Sequence, residues 1–150
     1  MAKRILVPVD TQEDSEAIVP VVAAMAERSG GSVRLIRVSP LPERVVGPYG
    51  HTIAYSDQEM TRLTAEGLDD LQHVEGELHG IPVDSVVRFG DPVAEILLEA
   101  EAFDADLIAL TAPRRGRLRR ALSPGLADRL IPRAPVPTLV LHGREPLRVA

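Results

Sequence analysis

No cysteine occurs in the 150 residues. Disulfides, thiolate nucleophiles and cysteine-based zinc sites are therefore excluded, and the chain suits a reducing compartment. Aromatic residues make up only 3% of the chain, so a core must be built from Val, Ile, Leu and Ala. A surface that stacks successive bases on aromatic rings is likewise not expected. Lysine is almost absent: Lys3 is the only one, and the other basic residues are arginine. That leaves no Gly-Lys-Ser/Thr phosphate loop and no internal catalytic lysine. Positive charge is also short. The formal net charge is −5, which argues against nucleic acid or an anionic membrane as a general partner. No apolar run approaches the roughly 20 residues of a membrane span. The apolar run Ile5–Val9 is too short for a secretory signal and ends at Asp10, so a cytoplasmic location is expected.

What is present is an ordinary globular balance, 45% hydrophobic and 26% charged, of a length that suits one domain with one core. Ile5–Val9 reads as a strand buried on both faces, which suits a parallel sheet. A helix is expected over 15–28, with Asp14 as cap, Gly30-Gly31 as stop, and Pro20 inside it as a kink or a late start. A strand follows at 33–38. Residues 39–56 hold three prolines and two glycines and read as a long loop. Leucines at 63, 68, 71 and 78 predict a helix over 57–79, ended by Gly80. Next come a strand at 83–89 and a helix over 92–103, with Asp91 as cap and Pro92 in the first helical position. A strand at 107–110, a basic loop over 111–122, a short helix from Ser123-Pro124 to about Arg133 and a last strand at 136–141 complete the chain.

Strand and helix alternate throughout. Right-handed crossovers then give a parallel sheet with helices on both faces. In such a fold ligands sit beyond the C-terminal strand ends, where the strand order reverses. Asp10 and the segment from Thr111 occupy such places.

Other constellations carry less. His73 and His79 are six residues apart and cannot form an i, i+4 metal pair, so no metal site is expected. No serine sits in a Gly-x-Ser-x-Gly elbow, so no catalytic triad can be placed and no catalytic residue is assigned. Ser29-Gly30-Gly31-Ser32 looks like a phosphate loop, but it follows a helix instead of the first strand and reads as a helix stop. A phosphorylation-dependent receiver domain also has five β-α units. It needs an acidic pair after the first strand and a lysine after the last, and the chain offers only Asp10 and no such lysine.

Several segments together resemble the universal stress protein family: Ile5-Leu6-Val7-Pro8-Val9-Asp10 followed by Ser15; Val87-Arg88-Phe89-Gly90-Asp91-Pro92 leading to Glu95-Ile96-Leu97; Ala105-Asp106-Leu107-Ile108; Leu126-Ala127-Asp128-Arg129-Leu130; and Ala134-Pro135-Val136-Pro137-Thr138-Leu139-Val140. Their order and spacing match from about residue 3 to 141. The resemblance implies a five-stranded parallel sheet of order 3-2-1-4-5, Rossmann-like and of the adenine nucleotide alpha hydrolase type. It also implies a homodimer joined through the last strand, here Val136, Thr138, Leu139, Val140 and Leu141. An apolar edge strand blunted by Pro135 and Pro137 independently calls for pairing or cover.

The family contains an ATP-binding subclass and one that does not bind ATP. The first uses an aspartate after the first strand, matched by Asp10, and a pocket at the end of the second strand, matched by Val38. Turn chemistry for Asp10 and ordinary core for Val38 are the competing readings. The ATP subclass also has a stretch reading Gly, two residues, Gly, nine residues, Gly, then Ser or Thr. Here those positions hold Thr111, Arg114, Pro124 and Gly125, while Gly116 and Leu118 match flanking residues. Glycines let backbone approach a phosphate. Arg114 fills that space, Pro124 removes an N–H, Gly125 has no hydroxyl, and Ser123 is placed to cap its own helix.

The expected function is thus a non-catalytic, dimeric stress-response regulator with a degenerate ATP-binding motif. Its partner would be a protein or a small anionic ligand. The alternative is an ATP- and Mg-binding protein with weak ATPase activity, in which Arg114, Arg115 and the arginines at 117, 119 and 120 remake the phosphate grip.

Overall fold

Apolar residues alternate between two faces along every central strand, and helices cover each face. The computed structural model describes residues 3–10, 12–42, 45–50, 52–54, 56–112 and 125–142. Strands β1 (Arg4–Pro8), β2 (Ser32–Ser39), β5 (Val83–Phe89), β6 (Leu107–Ala112) and β7 (Thr138–His142) form one sheet of order β5-β2-β1-β6-β7. All its pairings are parallel, with Ile5 opposite both Val33 and Leu107. Counting only these five strands, the order is the expected 3-2-1-4-5. On one face Ile5, Val7, Val33, Leu35, Leu107 and Ala109 pack with α1 (Gln12–Ser29) and α2 (Ser56–Glu75). On the other, Leu6, Ile36, Ile108 and Leu110 pack with α3 (Pro92–Phe103) and α4 (Leu126–Leu130). The period of two sorts strand residues to opposite faces, and a parallel strand must be apolar on both.

Several boundaries differ from expectation. Helix α1 begins at Gln12 and not at Ser15, because nothing between Asp10 and Ser15 breaks helical backbone. It continues through Pro20 and closes where Gly30 takes φ +65° and the Gly31 amide donates to Ala26 O at 2.9 Å. The segment expected to be a loop over 39–56 contains a two-stranded antiparallel ribbon, β3 (Val45–Val46) with β4 (Thr52–Ala54), around a 3-10 turn at Pro48–Gly50. Helix α2 stops at Glu75, short of His79. Leu78 keeps the apolar spacing because turns through Glu77 and Leu78 tuck it into the core, not because the helix reaches it. The last strand begins at Thr138, since Pro137 lacks an N–H and joins β6 only as an acceptor, from the Ile108 amide at 3.0 Å.

The cap of α3 is as expected. Asp91 Oδ2 accepts from the Ala94 amide at 2.9 Å, Pro92 opens the helix, and Asp104 closes it in the left-handed region at φ 56°. This helix is also pinned by charge. Glu99 is only 2% exposed. Its Oε1 accepts from Arg34 Nη1 at 2.8 Å, and its Oε2 from Arg88 Nη2 at 2.8 Å and Nε at 3.0 Å. Arg34 also forks onto Asp84 at 2.9 Å and lies over the Phe103 ring at 4.5 Å. Hydrogen bonding to Asp84, then to Glu99, holds the Arg34 guanidinium above its ordinary range although burial opposes it.

Two substitutions test this packing. Glu99→Ala leaves two arginines facing an apolar helix. A loss of about 2–4 kcal/mol in urea unfolding is expected, less than for a fully buried triad because Arg34 keeps Asp84 and Arg88 is half exposed. Gly67 in α2 lies so close to β5 that an added Cβ would stand 2.9 Å from Val87 Cγ2. Gly67→Ala gains about 1 kcal/mol of helix propensity but overpacks at about 1–3 kcal/mol, so the variant unfolds at lower urea than the parent.

Candidate functional site

The strand order reverses between β1 and β6, and a cavity of about 200 Å³ opens there beyond their C-terminal ends. Sheet topology leaves this gap because the chain leaves β1 toward one edge and reaches β6 from the other side. The floor is Val9 and Ile36, with Val38, Ile96, Leu110 and Leu126 as apolar walls. Polar character comes from Asp10, Thr111 and Arg129. A neighbouring cavity of about 120 Å³ lies between α4 and the ends of β6 and β7, lined by Gly125, Asp128, Ile131, Val140 and His142. Leu110, Thr111 and Leu126 border both.

The structure brings Asp10, Val38 and Thr111 to one cavity and sets Gly125 in the adjoining one. Arg114, Arg115, Gly116 and Ser123 lie outside the described residues. Val38 carries both of its readings, since it packs against the α3-side core and also faces the cavity. Asp10 is exposed, and its backbone carbonyl accepts from Arg37 Nη2 at 3.2 Å. Arg37 Nη1 in turn meets Asp70 of α2 at 2.6 Å, so an arginine on the opposite sheet face fixes the backbone on which Asp10 sits. Arg37 Nε is buried with no partner among the described residues, leaving the two terminal nitrogens to hold the group.

The start of α4 differs from expectation. Its cap is Gly125 and its first helical residue Leu126, not Ser123-Pro124. Asp128 reaches back, and its Oδ2 accepts from the Gly125 amide at 3.2 Å. This is the acidic half of a capping box, glycine having no side-chain oxygen to return the bond. Ile131–Arg133 continue as a 3-10 turn.

Sequence reasoning missed Pro92 and Ile96 from α3 and Arg129 from α4 as cavity residues. Asp91 was legible as a cap, but its second role was not. Its Oδ1 lies 3.7 Å from Arg129 Nη1, joining the start of α3 to the last turn of α4 at the cavity rim. Only the topology brings residues 91 and 129 together. Among the described residues no cluster of His, Asp or Glu could hold a metal ion, and no helix is long and apolar enough to cross a membrane.

The sheet order and the helices on both faces define an α/β protein of the Rossmann-like kind. A model of the universal stress protein family matches residues 1–142, and the chain belongs to that family. Solved structures agree in fold. A universal stress protein in complex with cAMP is 13% identical at a TM-score of 0.68, covering 95% of this chain and 98% of that one. A hypothetical protein whose biochemical function was assigned from its structure reaches a TM-score of 0.72 at 22% identity, covering 96% of this chain and 98% of its own. A universal stress protein from Archaeoglobus fulgidus in complex with dAMP is 18% identical at a TM-score of 0.57, covering 92% and 96%. No match is found among curated proteins.

Asp128→Ala should cost about 0.5–1 kcal/mol in urea unfolding by freeing the Gly125 amide, and Asp128→Asn should recover most of it. Equal losses for both would show that charge, and not the hydrogen bond, makes the contribution.

Proposed function

We propose that this chain is a non-catalytic, dimeric stress-response regulator that has lost the triphosphate grip of the ATP-binding members of its family. The observation that carries this reading is the Asp128 carboxylate on the Gly125 amide. Where a phosphate would look for free backbone N–H groups, the chain has already supplied an anion of its own. A phosphate charge about 4 Å from that carboxylate is disfavoured by roughly 1–4 kcal/mol across water-like to surface dielectrics. The sequence adds Arg114, Pro124 and Gly125 where a phosphate loop wants glycine, glycine and a hydroxyl.

Dimer formation is supported by β7. Among the described residues it pairs only with β6 in the sheet, and its Leu139, Val140 and Leu141 are each half-buried in the single chain. An apolar edge of this kind normally finds a partner. Light scattering at micromolar concentration should give twice the chain mass, and a monomer there removes this part of the proposal.

A second reading, an ATP-binding protein with weak ATPase activity, is favoured by the cavity at the strand switch and by the cAMP and dAMP complexes of the structural neighbours. Arg114 and Arg115 would then replace the glycine loop. Calorimetric titration with Mg-ATP separates the two. The leading reading expects no binding up to about 1 mM, weaker than about −4 kcal/mol. A Kd near or below about 10 μM, about −7 kcal/mol, would establish the second reading, and Arg114→Ala should then weaken it.

A further inference from the structure

The sheet has two edges, and they are built differently. Strand β7 is five residues long and follows Pro135 and Pro137. Strand β5 is seven residues long, holds no proline and pairs, among the described residues, only with β2. None of its residues is fully buried. The ladder fixes which of its backbone groups point outward. Pro82 O accepts from the Val33 amide, and the Gly90 amide donates to Ser39 O, so the even-numbered residues turn their backbone toward β2. The N–H and C=O groups of Val83, Ser85, Val87 and Phe89 therefore face away from the sheet. Helix α2 does not close over them. A Cβ added at its Gly67 would meet Val87 and Arg37, which are neighbours across the β2–β5 ladder, so the helix lies on the seam between these strands. Charge is a usual guard of a bare edge, but both charges of β5 are already engaged, Asp84 by the Arg34 fork at 2.9 Å and Arg88 by Glu99 at 2.8 Å.

We propose that β5 is an interface for a second copy of this chain, separate from β7, in which the two β5 strands pair antiparallel about a two-fold axis at Val86. The strand's own residues select this occupant. An axis at Val86 sets Val83 opposite Phe89, Ser85 opposite Val87 and Asp84 opposite Arg88, so all seven residues pair and no like charges meet. Moving the axis by one residue leaves strand ends unpaired and sets Asp84 and Arg88 opposite uncharged residues. With the axis at Val86, the outward amides and carbonyls of the odd-numbered residues bond to one another. The even-numbered side chains, on the α3 side with Val86 and Arg88, meet in close pairs. The charge pattern also continues across the axis. Arg88, Glu99, Arg34 and Asp84 form a row of alternating sign, and Asp84 then meets Arg88 of the second copy, where the same row begins again. One strand edge buries little area, so this contact forms at higher protein concentration than a broad dimer interface.

Cysteine trapping tests this on the full chain, which has no cysteine of its own. In Val86→Cys the new thiol faces its twin at the axis, where the Cα atoms of such an antiparallel pair lie about 4.5 Å apart, within reach of a disulfide. In Ser85→Cys the two thiols are offset along the strands by two residues, beyond the roughly 7 Å limit for bridging. Under mild oxidation at rising protein concentration, Val86→Cys should give covalent dimers on a non-reducing denaturing gel, and Ser85→Cys should remain single chains. Adding Ser85→Pro to Val86→Cys should abolish the cross-link, because it removes an outward N–H and no bond to β2. Adding Ser85→Ala instead, which loses only the hydroxyl bond to Glu75, should keep it. Equal cross-linking of the two cysteine variants, or a cross-link that survives the proline, overturns the proposal. So does the absence of cross-linking in Val86→Cys, which assigns the edge to an extended segment of another protein or leaves it bare. If the proline variant fails to fold, the comparison of the two cysteine positions decides alone. Pairing through β7 is not covalent and leaves no band on this gel, so the two interfaces stand or fall separately.

Discussion

A buried carboxylate holds α3 in register with the sheet. Glu99 accepts from arginines on two neighbouring strands, β2 and β5, so the helix cannot slide along either without breaking a charge-assisted bond. Apolar contacts through Val93, Ile96 and Ala100 supply most of the burial, but they are non-directional. The bidentate arginine geometry adds direction. Its reach extends to the other end of the helix, because Pro92 and Ile96 form one side of the strand-switch cavity. The shape of that cavity thus depends on an ion network two helical turns away.

Much of the fold was legible in the sequence because its signals are local. Strand β5 and helix α3 have the limits read from alternation, from Asp91-Pro92 and from the apolar run to Phe103. The sheet order followed from the family likeness, with alternation and handedness pointing to parallel pairing. What misled was apolar spacing divorced from backbone. Leu78 continues the period of α2 from a turn, and the ribbon at Val45–Val46 and Thr52–Ala54 is too short to leave a pattern. The cavity was half legible. Asp10, Val38 and Thr111 lie at strand ends, where topology predicts ligands, whereas Arg129 and Asp91 are helix-terminal residues whose proximity depends on the packing of α3 against α4.

The start of α4 carries its own anion. The Gly125 amide is satisfied from within the same turn, by Asp128. The neighbouring cavity is mainly apolar and has Arg129 in its lining.

Helix α4 is a partition with a cavity on each side. Leu126 belongs to both linings, and the smaller cavity has Val140 and His142 of the edge strand as its far wall. In a close-packed interior a partition cannot move without trading volume between its two sides. The two cavities thus share Leu110, Thr111 and Leu126, and the smaller one ends on Val140 and His142 of β7.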